Sequence, residues 1–185
     1  MKVVFIGGSK ESSKDAIVNL IVKSRGVLPE FEYVRLTDVS NINIRELWKS
    51  RAEQLKLRNG LYAKLKKKMD EFQKREVANV IVNCYFTVDT RHGFFPLISE
   101  ELIKMVKPDM ILVIEEDSRK PHIKYPDEVE KLKRMVSQQE VNIHYAGLYS
   151  YLTTAHLKVI RVRRGHVKAA LKETIMTLKN MFGDD

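Results

Sequence analysis

Cysteine is almost absent from this chain: Cys84 is the single thiol in 185 residues. One thiol excludes an internal disulfide and a cysteine-based zinc site, and its place at the end of an apolar run predicts a buried strand-end side chain. Long apolar runs are missing too; none approaches the roughly 18–20 residues of a membrane span. The run Val3–Ile6 is too short for the apolar region of a signal peptide, and no small-residue cleavage site follows it. The expected location is therefore cytoplasmic. His92, His122, His144, His156 and His166 never pair at metal-ligand spacing, so no metal site is expected. No Ser/His/Asp set carries a nucleophile elbow, and no RNP or KH signature marks a nucleic-acid reader.

What the chain has in excess is positive charge. Lys and Arg number 33 against 24 Asp and Glu, a formal charge of +9. Such an excess favours phosphate-bearing partners, whether nucleotide or nucleic acid, and enrichment in Lys, Arg and Glu equally suits a thermophile. Two stretches carry much of it, KLKKKMDEFQKR (Lys64–Arg75) and RVRRGHVK (Arg161–Lys168). Each alone reads as a solvated face; together they form a candidate RNA-backbone surface.

Hydrophobic residues make up 44% of the chain and charged residues 31%, which fits one globular domain. Five short apolar or β-branched runs predict strands: Val3–Ile6, Glu32–Leu36, Val80–Cys84, Met110–Ile114 and Leu157–Val162. Helical patterns lie between them. The first carries Ile17, Leu20 and Ile21 and stops near Gly26. A second is capped at Asn43, carries Ile44, Leu47, Trp48 and Leu55, and breaks at Asn59-Gly60. A third follows with Tyr62, Leu65, Met69 and Phe72. Leu97–Val106 is a short helix, Asp127–Tyr151 a long one interrupted near Gly147, and Leu171, Ile175, Leu178 and Phe182 mark the last. Strict alternation of strand and helix predicts a doubly wound, parallel, five-stranded α/β sheet with helices on both faces. Ligands of such sheets sit beyond the carboxyl ends of the strands.

The first of those ends is KVVFIGGSKESSKD, a strand entering a Gly/Ser/Lys loop and then a helix. That is the layout of a phosphate-binding loop, in which backbone N–H groups and a lysine meet phosphate oxygens. Gly7, Gly8, Ser9, Lys10, Ser12, Ser13, Lys14 and Asp15 are its candidate residues. Counted from Gly8, the Gly-Lys-Ser/Thr positions read Ser13-Lys14-Asp15. Glu11 and Asp15 bring carboxylates toward phosphate charge; at ~4 Å and an effective dielectric near 20, each such pair costs on the order of 4 kcal/mol.

The middle and C-terminal parts resemble the archaeal type of adenylate kinase, among the P-loop nucleoside monophosphate kinases. Val80–Pro96 (VIVNCYFTVDTRHGFFP) is similar to a family segment, with Thr87, Thr90, Gly93, Phe94 and Pro96 in pattern. Lys107–Asp117 (KPDMILVIEED) is similar to another. Gln139, Asn142, Ala146, Tyr149, Leu152 and Thr153 match the helix before the last strand. The resemblance implies one P-loop-type domain, with an acceptor-side helical segment over about 38–76 and a shortened lid over about 116–134. It implies ATP and Mg²⁺ as cofactors of an active enzyme, Lys14 and Arg119 as catalytic residues, and Thr37, Asp38, Arg51, Asn83, Thr87 and Arg91 on the acceptor side. It places Arg163 and Arg164 near the base.

The departures fall on functional positions. The family's loop has inner glycines and a Ser/Thr after the lysine, where this chain has Ser and Asp15. The family's strand-end aspartate is Asn83, and Ile143 replaces an arginine. These changes predict weak or absent phosphoryl transfer with nucleotide or phosphate binding retained. An active nucleoside monophosphate kinase and an RNA- or ribosome-associated protein are the alternatives. Glu115-Glu116-Asp117, at a strand end, reads as a solvated acidic turn, with a cation site as the alternative.

Overall fold

The computed structural model describes residues 1–9, 12–40, 50–117, 126–163 and 166–183. In chain order the strands are β1 (Lys2–Gly7), β2 (Glu32–Arg35), β3 (Asn79–Asn83), β4 (Thr87–Thr90), β5 (Gly93–Pro96), β6 (Met110–Glu116) and β7 (His156–Val162). The helices are α1 (Lys14–Lys23), α2 (Leu36–Ser40), α3 (Arg51–Lys74), α4 (Glu100–Val106), α5 (Pro126–Thr153) and α6 (Val167–Gly183). Five strands form one sheet in the order β2-β3-β1-β6-β7, and every neighbouring pair is parallel. Strand order reverses at β1, so the crevice beyond its carboxyl end is where this topology places a ligand.

The period-2 alternation of the strands divides the core. Val3, Phe5, Val80, Val82, Ile111 and Val113 face the layer that holds Leu61, Leu65, Met69 and Phe72 of α3, Leu102 and Ile103 of α4, and Tyr149 of α5. Val4, Ile6, Ile81, Leu112 and Ile114 face Ile17, Val18 and Ile21 of α1 and Leu178 and Phe182 of α6. Because both faces are covered, the runs are continuously apolar, as buried parallel strands are.

Four local expectations are corrected. α3 runs unbroken through Asn59-Gly60. A Cβ at Gly60 would meet nothing, so the residue only forgoes about 1 kcal/mol of helix propensity relative to Ala. The buried stripe Leu61, Leu65, Met69 and Phe72 outweighs that, and a capping box between Ser50 and Glu53 starts the helix. α5 likewise runs straight through Gly147. The short helix begins at Glu100 rather than Leu97, with the Ser99 hydroxyl accepting from the Leu102 N–H. Leu36 belongs to α2, not to the second strand. The stretch after Asn83 holds an antiparallel hairpin, β4–β5, that periodicity did not reveal. The helix expected around Asn43, Ile44, Leu47 and Trp48 lies outside the described residues, while Leu55 of that pattern sits exposed on α3. Among the described residues, no helix is long and apolar enough to cross a membrane.

Candidate functional site

The loop between β1 and α1 is shaped first by packing. A Cβ at Gly7 would lie 2.2 Å from Cζ of Phe86, and one at Gly8 would lie 2.2 Å from the Ile114 carbonyl oxygen. Phe86 is fully buried and lies edge-on against Tyr149, ring centroids 5.7 Å apart. Both glycines are therefore required by neighbours inside the fold, whatever binds outside it.

Beyond them the chain turns so that Lys14, the first residue of α1, points inward; it is 1% exposed. Its Nζ donates to Asp15 Oδ1 at 2.7 Å and to Asn83 Oδ1 at 2.6 Å, and stands 4.4 Å from the centre of the Tyr85 ring. Asn83 Nδ2 donates to Asp15 Oδ1 at 3.0 Å and to the Tyr33 hydroxyl at 3.1 Å, and the Tyr85 hydroxyl donates to Asp15 Oδ2 at 2.6 Å. Asn83 reaches this cluster because it shares a strand face with Ile81, the face that α1 covers. Burial pulls the Lys14 ammonium below the ordinary lysine range, with Asp15 pulling the other way. Burial also works to raise the Asp15 carboxyl, but the Lys14 charge and hydrogen bonds from Lys14, Tyr85 and Asn83 prevail and hold it at about 2. Lysine and aspartate cancel, so the cluster is internally neutral.

A second network fixes the loop from the β6 side. Glu115 is 0% exposed and accepts from the Ser9 N–H at 2.9 Å, the Ser9 hydroxyl at 2.7 Å and Asn142 Nδ2 at 2.8 Å. Asn142 Oδ1 in turn accepts from the Thr87 N–H at 3.1 Å and the Thr87 hydroxyl at 2.6 Å. Burial raises the Glu115 carboxyl above its ordinary value, opposed by the bonds from Ser9 and Asn142. Glu116, half-buried, accepts from the Ser13 N–H at 3.0 Å and from the Ser13 hydroxyl. The expectation of a solvated acidic turn is thus corrected at Glu115. Its place two residues after Val113 puts it on the inward face under α5, a signal the alternation of β6 already carried.

Of the other residues singled out by sequence, Ser12 is buried and its hydroxyl donates to the Ser9 carbonyl at 2.8 Å. Thr37 and Asp38 lie in α2, their side chains 3.4 Å apart. Arg51 is exposed at the start of α3. Arg91 is exposed in the turn of the β4–β5 hairpin and donates to His92 Nε2 at 3.0 Å. Arg163 is exposed just past β7. Lys10, Arg119 and Arg164 lie outside the described residues. The structure therefore gathers Ser9, Ser12, Ser13, Lys14, Asp15 and Asn83 around the loop, and adds Tyr33, Tyr85, Glu115, Glu116 and Asn142. In the first basic cluster, Lys66 pairs with Asp70, Lys68 with Glu71 and Arg75 with Glu32. Among the described residues, no group of three His, Cys, Asp or Glu side chains is placed to hold a metal ion.

No protein-family model matches the chain. It is 29% identical over 101 residues to the adenylate kinase of Methanothermobacter thermautotrophicus, covering 51% of this chain and 55% of that protein. It is 28% identical over 106 residues to the adenylate kinase of Methanococcus vannielii, covering 54% and 55% respectively. The chain spans about half the length of the curated relatives it matches. Among solved structures, thymidylate kinase from Candida albicans superposes with a TM-score of 0.52 at 16% identity, over 97% of this chain and 93% of that one. Shikimate kinase from Bacteroides thetaiotaomicron gives 0.52 at 12% identity, over 96% and 98%. These two likenesses speak for the fold, and the two adenylate kinases for a similarity of sequence over about half of the chain. Over about half of its length the chain is similar to adenylate kinases, and its five-stranded parallel sheet with helices has the fold of the P-loop kinases.

Proposed function

We propose that this chain is an adenylate-kinase-related nucleotide- or phosphate-binding protein whose phosphoryl transfer is weak or absent. The observation that carries this reading is the placement of Lys14. Transfer of a phosphoryl group depends on charge aimed at the migrating phosphate, and the loop lysine supplies part of it. Here the ammonium is buried, lowered in pKa by that burial, and held by Asp15 and Asn83 within 2.7 Å. The loop's serine donors are closed on acceptors of the chain itself, Ser9 on Glu115 and Ser13 on Glu116, so a bound anion must take them over, which suits weak binding better than stabilisation of a transition state. ATP and Mg²⁺ are the cofactors of the family's reaction; Asp15, already accepting three hydrogen bonds, does not fit a metal ligand in this arrangement. A coupled assay with ATP and AMP tests the reading, with Lys14→Ala as control. The expected result is no turnover that depends on Lys14, together with a thermal shift on adding ATP, ADP or AMP. Robust turnover abolished by Lys14→Ala would sink it, and the absence of any nucleotide shift would remove the binding half.

One observation favours the alternative of a working kinase. The carboxylate missing at Asn83 reappears on Asp15, at the other end of a 3.0 Å hydrogen bond. The double variant Asp15→Thr with Asn83→Asp restores the family's arrangement. It raises transfer under the preferred reading and leaves it unchanged or lower under the alternative.

A further inference from the structure

At the start of α1, Ser13 is closed on a carboxylate of the chain itself, that of Glu116. Ser13 stands at the N-cap of α1, yet its side chain gives no cap hydrogen bond to its own helix. Both its N–H and its hydroxyl are turned instead onto one carboxylate oxygen, Oε1 of Glu116. The N-terminus of a helix attracts anions through its unpaired N–H groups and the helix dipole. Here the anion is supplied by the chain itself.

Glu115 and Glu116 are not equivalent in this respect. Glu115 is sealed in the core, shares a face with Val113 and is braced by Asn142 from α5. Glu116 is the last residue of β6, is only half-buried and is held by Ser13 alone among the bonds described. The first is a fixed strut of the loop. The second stands at the strand end, partly open to solvent, with no such brace from α5.

We propose that Glu116 is a built-in competitor for the phosphate end of a bound ligand, its carboxylate occupying donors that an incoming phosphate must take over. The proposal rests on the reading that this loop binds a phosphate-bearing ligand, and it names what limits that binding. A phosphate or pyrophosphate entering at the start of α1 must displace Glu116 and then tolerate its charge nearby. A glutamine keeps the shape and removes the charge. It also replaces a carboxylate acceptor by the weaker amide acceptor, so the Ser13 donors become easier to capture.

Inorganic pyrophosphate, free of metal, is the probe, titrated calorimetrically into the full chain. Glu116→Gln is expected to bind at least five-fold more tightly than the parent. Glu116→Ala, which removes the acceptor altogether, serves as the second variant should the first fold poorly. Glu115→Gln is expected to gain no affinity, because that carboxylate is locked behind Ser9 and Asn142. Parent and Glu116 variants binding equally, or the variants binding more weakly, would overturn the proposal. A gain of the same size in Glu115→Gln would overturn it as well, by making the effect one of general charge. If neither parent nor variants bind pyrophosphate at millimolar concentration, the underlying reading fails and takes the proposal with it. That pattern is distinct from binding that is present but indifferent to Glu116.

Discussion

Replacing Gly7 by alanine separates two reasons for having glycine at the mouth of the loop. If Gly7 serves only the approach of a phosphate, the substitution costs binding and leaves the unliganded fold unharmed. The structure predicts otherwise. The new methyl carbon would stand 2.2, 2.3 and 2.5 Å from Cζ, Cε2 and Cε1 of Phe86, where ordinary contacts begin above 3.4 Å. The ring is fully buried against Tyr149, so to swing away it must displace core neighbours. Overpacking of a tight core costs about 1–3 kcal/mol, and three clashing ring atoms place Gly7→Ala near the top, at about 3 kcal/mol. Phe86→Leu withdraws all three atoms, since leucine has none beyond Cδ, and by itself costs about 1–2 kcal/mol in lost packing. The double variant should be less destabilised than the two singles added together, by about 2 kcal/mol. Urea unfolding followed by circular dichroism gives the four stabilities of the cycle. A Gly7→Ala cost below about 0.5 kcal/mol, or additivity within the error, would refute the packing argument.

Two further outcomes follow from the ionisable groups. Asp15 has a folded-state pKa of about 2 against an ordinary 3.8, so its contribution is complete above the ordinary value and fades as pH falls toward 2. Discounted for the third of its surface that faces water, it is worth about 1.5 kcal/mol. The stability gap between parent and Asp15→Asn should shrink by most of that amount from pH 5 to pH 2, where the carboxyl is half protonated in the folded state, and a gap independent of pH would contradict the assignment. Cys84, pushed up to about 12 by burial, should resist thiol reagents at pH 8 in the native protein and react fully in denaturant. Labelling of the native protein within minutes would count against its placement in the core.

The parallel sheet was legible because its strands are buried on both faces and therefore read as uninterrupted apolar runs. Helix continuity was less so. Asn59-Gly60 carries a strong local turn signal, but its cost is paid once, while Leu61, Leu65, Met69 and Phe72 gain burial along the whole helix. The β4–β5 hairpin escaped because its strands are four residues each, too short for alternation to stand out. In the candidate site, Lys14, Asp15 and Asn83 were visible one by one from their place in the loop and at a strand end. That they bond to one another depends on β3 lying beside β1, which no local pattern encodes. Glu115 was misjudged for a different reason: three consecutive acids look solvated until the alternation of the preceding strand is carried one step further.

The hydrogen bond between Ser9 and Glu115 joins residues 106 apart in the sequence, and Asn142 must then come back to meet both Glu115 and Thr87. None of these bonds can close until β6 has docked beside β1 and α5 has returned across the sheet. Contacts of such long range form slowly, because the entropy of closing the intervening chain is lost before the contact is gained. The loop therefore cannot take its described shape before β6 and α5 are in place. An incompletely folded chain has the loop's residues but not its arrangement of donors, so ligand capture there reports that β6 and α5 have docked against β1.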